Sequence, residues 1–546
     1  MSFLGNPFQT KQRTSHDFSK IPQANIQRSS FDRSHGVKTA FDSGYLVPIY
    51  ADEVLPGDTF NAKLSAVARL STPIVPFMDN LQCDFFFFYV PLRLLWSNFV
   101  KMMGEQTNPA DSISYICPIT TVNTGTGYAV GSVQDYMGLP TDIDDYSHNV
   151  FHMRAYNKIY HDWFRDENLI TTGPALNTGD GPDSSTDYAL LKRGKRFDYF
   201  TSCLPWPQKN ADVTFSIGSS APVYGNSSTS ILSEQIFQRY GNTPIAGTLS
   251  SGSSIGQGAP VSDGTQNIKL ATSTWYAANS TYLPPYADLS SASTATINQL
   301  RQSFLLQALY ERDARGGTRY TEIIKSHFGV TSDDGRLQRS EILATGRSMI
   351  NLHAVAQTSA TSGSNAQGGL AAFGTMNSQG IGFNKSFTEH GVILGLACVT
   401  ADLSYQQGLH RMWSRSSKTD FFWPTLEGLG EQAVLNKEIY LQGTAGGAAD
   451  DTTFGYQERF SEYKYASTKI TGKLRSTASG TLDLWHLAQK FTALPTLGTT
   501  FINESPPISR VVAVNTEPQI IMDAYLQLNC VRPMATYAVP GLKGLL

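Results

Sequence analysis

Two segments near opposite ends of the chain alternate apolar and polar residues without a break, and they limit the fold more than any other feature. In Phe60–Leu70, Phe60, Ala62, Leu64, Ala66, Ala68 and Leu70 alternate with Asn61, Lys63, Ser65, Val67 and Arg69. In Met522–Val531, Met522, Ala524, Leu526, Leu528 and Cys530 alternate with Asp523, Tyr525, Gln527 and Asn529. A period of two is the mark of a strand with one buried face. Cys83–Val90 is apolar on both faces, as a strand at the centre of a sandwich must be, and Pro91 closes it. Val392–Thr400, Lys469–Leu474 and Arg510–Val514 are further strand candidates. Strands this scattered, with long excursions between them, predict a mainly β fold: a double-sheet jelly roll rather than a compact meander.

The excursions have their own character. Residues 146–168 read as helical, with Val150, Phe151, Ala155, Ile159, Tyr160, Trp163 and Phe164 forming an aromatic face. Residues 207–296 are dominated by Ser, Thr, Gly and Asn and carry few charges. Tyr224, Tyr240, Trp275, Tyr276, Tyr282 and Tyr286 are among their aromatic anchors, so they read as an inserted, β-rich surface module. Two helices follow within 297–328. The first carries an apolar stripe through Leu300, Phe304 and Leu309 and ends at Gly316-Gly317, after Glu311, Arg312, Asp313 and Arg315. Gly363–Gly382 reads as a looser, glycine-rich loop.

Charged residues make up 16% of the 546, against ~25% in a typical soluble domain, which suits a subunit buried against copies of itself. The net charge of −3 excludes a globally basic nucleic-acid binder. The first 39 residues are the exception: Lys11, Arg13, Lys20, Arg28, Arg33 and Lys38 face only Asp17 and Asp32. Few aliphatic residues accompany them, which predicts a flexible, extended basic arm over 1–43. Its cations are interleaved with Phe8, Phe18, Phe31 and Phe41, a pattern suited to single-stranded nucleic acid. Cys83, Cys117, Cys203, Cys398 and Cys530 lie far apart without CxxC spacing, predicting reduced thiols. The start lacks an apolar signal-peptide core, and no run approaches the ~20 apolar residues of a membrane helix.

Candidate chemistry is thin. His148 and His152 are four apart, near Asp144, Asp145 and His161, but the aromatic surroundings favour packing over metal binding. Thr141–Asp145 has the acid density of a calcium loop without its ligand order. Gly316-Gly317 with Arg312, Arg315 and Arg319 matches no phosphate-binding motif and reads as a helix stop with ion pairs between subunits. No nucleophile motif or carboxylate pair has a recognisable context, so neither catalysis nor a cofactor is expected.

Several words of the sequence carry a resemblance. They are Leu309–Val330, Arg33-Ser34-His35-Gly36, Val47-Pro48-Ile49-Tyr50, Glu53-Val54-Leu55-Pro56-Gly57-Asp58, Phe85–Trp96, Phe454–Phe460, Arg532-Pro533-Met534 and Val539-Pro540-Gly541-Leu542. Together they resemble the major capsid proteins of small single-stranded DNA phages, the Microviridae, in the gokushovirus branch. The resemblance implies an eight-stranded viral jelly roll with long insertions and a few helices. Sixty copies would form a T=1 icosahedral shell around a circular single-stranded DNA genome. It further implies assembly in the bacterial cytoplasm, with other virion proteins such as a DNA pilot protein and an internal scaffolding protein. Residues 207–296 would be the threefold protrusion that meets a host receptor. Residues 44–206 and 297–546 would share the jelly roll, the latter ending in a C-terminal arm. A secreted or adhesive carbohydrate-binding β protein is the competing reading. It accounts for the Ser, Thr and Tyr content but calls for a signal peptide.

Overall fold

A computed structural model describes residues 27–122, 125–211, 213, 297–316, 320–328, 338–363 and 367–537, with short strand pieces at 223–224, 237–239, 268–270 and 286–287. The sheet strands are β1 (Ser29–Asp32), β2 (His35–Phe41), β3 (Val47–Val54), β4 (Thr59–Leu70), β5 (Leu81–Pro91), β6 (Glu341–Ala356), β7 (Leu370–Ser386), β8 (Gly391–Ala401) and β9 (Ile520–Arg532). All pair antiparallel, in the orders β3-β8-β5-β6 and β2-β9-β4-β7. Counting β2 to β9 as strands one to eight, these orders are 2-7-4-5 and 1-8-3-6, the two interleaved Greek keys of a jelly roll. The two halves join because β6 changes partner along its length. Glu341–Ile350 pairs with β5 and Asn351–Ala356 with β7. β1 continues the β2 edge, pairing with the far end of β9.

One core fills the sandwich. Phe60, Leu64, Phe85, Phe87, Ile393 and Leu528 come from both halves and are almost wholly buried. Each such side chain contributes ~1.5–3 kcal/mol by leaving water. The β3-β8-β5-β6 half is covered on its other face too. Phe88, Val90, Leu394 and Leu396 pack there against Trp96, Phe99 and helix α1 (Phe151–Ile159). The β2-β9-β4-β7 half keeps an open face, and β4 and β9 therefore alternate strictly. A third cluster gathers Tyr199, Phe200, Tyr405, Val434, Phe454 and Phe501 from the long excursions.

Several expectations change. The basic arm is sheet over Ser29–Phe41: once Phe41 enters the core, the backbone of β2 pairs along β9. Gly363–Gly382 is not one loose loop, since β7 begins at Leu370. Its glycines serve the sheet in two ways: a Cβ at Gly382 would lie 1.9 Å from the Ala62 carbonyl oxygen, and Gly380 takes φ +79° where the register slips. Lys469–Leu474 ends in a short 3-10 turn. Arg510–Val514 follows another, with a single bridge from Val512 to Pro73. Neither stretch finds a sheet edge to join. The helix expected over 146–168 starts at Phe151, because Ser147–Asn149 pairs with Ile119–Thr121. It runs into a wider π turn ending at Phe164. All five cysteines are free, and only Cys117 is not buried.

The chain divides into two compact units, Met1–Pro205 with Ser332–Leu546, and Trp206–Thr331. The second holds helices α2 (Ile297–Arg315) and α3 (Tyr320–Phe328). The expected apolar stripe of α2 is uncovered, with Phe304 and Leu305 each 67% exposed.

Candidate assembly and nucleic-acid surfaces

Four of the sequence words, three from residues 33–58 and one from residue 532 near the other end, meet at one corner of the sandwich. Arg33 grips Asp52 with both guanidinium nitrogens, one at 3.0 Å, and Tyr50 donates to the same carboxylate at 2.8 Å. His35 stacks on the Tyr50 ring at 5.7 Å. Arg532 reaches Asp58 at 3.3 Å, donates to the Glu53 carbonyl at 2.8 Å and covers the Phe60 ring. Asp58 is fully buried and accepts from the Leu55 amide at 2.9 Å, closing a tight turn through Gly57, which has φ +91°. Burial pushes the Asp58 carboxyl above its usual range, against the pull of Arg532. These residues tie the first sheet edge to the last strand.

The expected DNA-facing cations therefore differ in setting. Arg28 donates to the Gly57 carbonyl and to Thr59 Oγ1, and Arg33 is held by Asp52. Lys38 is 81% exposed and meets only the exposed Asp523 at 3.3 Å, a pair worth ~0–1 kcal/mol. Lys11, Arg13 and Lys20 lie outside the described residues.

A second charged centre went unnoticed in the sequence. Asp84 interrupts the apolar run of β5, and its buried carboxylate receives Arg193, Arg196 and Arg347, the last at 2.7 Å. Despite burial, hydrogen bonds and charge from Arg347 and Arg193 hold its carboxyl below the usual range. Beside them, burial pushes the Glu504 carboxyl up to about 7, opposed by Lys195 and Arg193. The run Lys192-Arg193-Gly194-Lys195-Arg196 was the available signal.

On α2, Asp313 receives His327 of α3 at 2.7 Å, and Gly316 lets the two helices close, since a Cβ there would lie 2.2 Å from Ser326 Oγ. Glu311 accepts from Gln307 at 2.9 Å. Arg312 and Arg315 end α2 as exposed residues, and Arg319 lies outside the described residues. In the insertion, the backbones of Tyr224 and Tyr286 pair in short antiparallel strands. Tyr240, Trp275, Tyr276 and Tyr282 lie outside the described residues.

His148 and His152 do not converge. His148 meets the Tyr128 hydroxyl at 2.8 Å, and His152 sits on α1, where burial lowers its pKa. His161 contacts the Pro174 carbonyl at 2.7 Å. Among the described residues no His, Cys, Asp and Glu side chains group as a metal ion would need. A cavity of about 260 Å³ beside the third cluster is lined by Tyr199, Tyr405, Trp413, Glu438 and Tyr465. Glu438 there is already held by Arg411 at 3.0 Å, Tyr199 at 2.9 Å and the Leu435 amide at 3.0 Å. Its carboxylate is structurally engaged.

Comparison with known proteins agrees with this architecture. The family model described as "Capsid protein (F protein)" matches residues 19–542. Capsid protein VP1 of Bdellovibrio phage phiMH2K is 46% identical over 538 residues, covering 97% of this chain and 98% of the relative. Capsid protein VP1 of Chlamydia phage 1 is 42% identical, covering 96% and 97%. That of Spiroplasma virus 4 is 35% identical, covering 97% and 98%. With its jelly-roll strand order and a match over nearly its whole length, the chain belongs to the phage F-type capsid protein family and is a structural capsid subunit of a microvirus-like phage.

Proposed function

We propose that sixty copies of this chain close into a T=1 icosahedral shell around a circular single-stranded DNA genome, without a catalytic role. The jelly-roll order carries this reading: both sheet halves share one core, and the long excursions between strands are left to meet neighbours. A closed shell repeats each contact by symmetry, so modest pairings add up across the particle. Glu311, Arg312, Asp313, Arg315 and Arg319, with both signs interleaved, suit contacts between subunits. Lys11, Arg13, Lys20, Arg28, Arg33 and Lys38 face the genome, Lys38 being the most open of the described ones. Residues 207–296 form the threefold protrusion. Their tyrosines and Trp275 offer large contact area to a host receptor at low entropic cost. Assembly takes place in the bacterial cytoplasm with partner virion proteins, a DNA pilot protein and an internal scaffolding protein among them.

Mass measurement of purified particles tests the shell, and nuclease digestion of their contents tests the genome. The expected result is a mass of sixty chains of 59.7 kDa plus one genome, with DNA cut by single-strand-specific nuclease and resistant to exonuclease. Another copy number, or duplex or absent nucleic acid, overturns the corresponding part. Deleting 207–296 should leave shells that assemble but adsorb poorly to cells; unchanged adsorption removes the host-contact role.

A further inference from the structure

We propose that the open face of β2-β9-β4-β7 is a binding platform for single-stranded DNA, centred on β9, β4 and β7 rather than on the basic N-terminal residues, of which Lys38 lies at its β2 side. The inference rests on the genome-enclosing reading above and names the surface that meets the genome.

The outward side chains of β4, β9 and β7 lie in register. Arg69 stands opposite Ile521 and Thr375, Val67 opposite Asp523 and Asn377, Ser65 opposite Tyr525 and Gln379, and Lys63 opposite Gln527. Lys63 and Arg69 share one strand six residues apart, ~20 Å at a strand's rise, and among the described residues neither has an acidic partner. The acids of this face are Asp523, on β9 opposite Val67, and Asp32, on the β1 edge. Asp523 is already paired with Lys38, and Asp32 with the Ser34 hydroxyl. The central positions thus present cations among amides, Asn61, Asn377, Gln379 and Gln527, which can hydrogen-bond base edges or phosphates.

Flat rings complete the surface. Tyr525 is 52% exposed at its middle, and Phe373 (39% exposed) stacks on His353 at 5.0 Å where β7 meets β6. A cationic track with exposed rings is how single strands are held without sequence preference. The chain's own layout favours the same occupant. The basic residues Lys11, Arg13 and Lys20 precede β1, which enters at the edge of this sheet. A second copy of the chain suits the face less well, because Val67 and Ile521 are its only exposed aliphatic residues on β4 and β9. Large exposed apolar groups sit elsewhere, at Trp413, Phe421 and Leu429, and those suit protein contact better.

Ultraviolet irradiation of purified, genome-filled particles, followed by proteolysis and mass spectrometry, maps nucleotide–peptide adducts without any substitution. Adducts at Tyr525, Phe373 or His353 are expected. Adducts confined to other segments overturn the proposal, as do protein–protein crosslinks that place this face against a second copy. A Lys63→Gln, Arg69→Gln double variant gives an independent reading. Loss of two phosphate contacts should make the log–log dependence of DNA retention on salt shallower by ~1.4; an unchanged slope in normally assembled particles counts against it. Particles without single-stranded DNA would instead overturn the genome reading itself, a result seen before any adduct is mapped.

Discussion

The two halves of the sandwich share a core and a topology, yet differ in what lies behind them. Behind β3-β8-β5-β6 stands a second apolar layer, so Phe87 faces one core while Phe88, its neighbour, faces another, and both are fully buried. Behind β2-β9-β4-β7 no second core cluster forms among the described residues, and Val67 and Tyr525 stay exposed between the buried residues of their strands. The first half is committed to stability on both faces. The second can change its outer face freely, which makes it the half able to carry function.

The comparison fails most visibly if the covered half tolerates truncation. Phe88→Ala removes a ring packed edge-on against Phe164 at 5.9 Å and should cost about 3–5 kcal/mol, read from the denaturant midpoint of the disassembled chain. A cost below ~1 kcal/mol would mean the second layer is not a true core.

Glu504 sharpens the picture through pH. Its folded pKa is raised to about 7 by burial, so the stability linked to its protonated form is full below about 4.5 and is lost as pH rises through 7. The loss is on the order of 3 kcal/mol. Glu504→Gln should therefore gain stability relative to the unsubstituted chain as pH rises from about 4.5 to about 7, and keep that gain above it. A pH-independent difference in midpoint would contradict the assignment.

Within β7 the two glycines should separate. Gly382→Ala drives a methyl into the Ala62 carbonyl and should cost about 2–3 kcal/mol. Gly380→Ala has open space around it and should cost about 1 kcal/mol, from positive φ alone. Equal costs would place the bulge elsewhere. The smallest effect belongs to the open face: Tyr525→Ala or Val67→Ser should stay within about 0.5 kcal/mol, and a larger loss would show that this face is packed after all.

These contrasts track how much of the molecule could be read from its residues. β4 and β9 were legible because one wet face enforces alternation, and β5 and β8 because two dry faces enforce continuity. β6 was not, since it changes sheets at Ile350 and its periodicity serves two surfaces in turn. β7 was obscured by glycines that look like flexibility and instead permit a bulge and a close strand contact. The corner formed by Arg33, Asp52, Asp58 and Arg532 was visible only as separate words, because Arg532 reaches Asp58 across nearly the whole chain and leaves no local pattern. The Asp84 centre left two signals, a lone acid in an apolar strand and the basic run Lys192–Arg196, with nothing local to join them.

A reconstruction of genome-filled particles by electron cryo-microscopy, resolving strands and side chains, tests the central claim most directly. The account predicts a closed shell in which the open face of β2-β9-β4-β7 turns inward, with nucleic-acid density over Tyr525, Lys63 and Arg69, and the layer carrying α1 lies on the opposite side. A shell with that face turned outward or buried between subunits would contradict it.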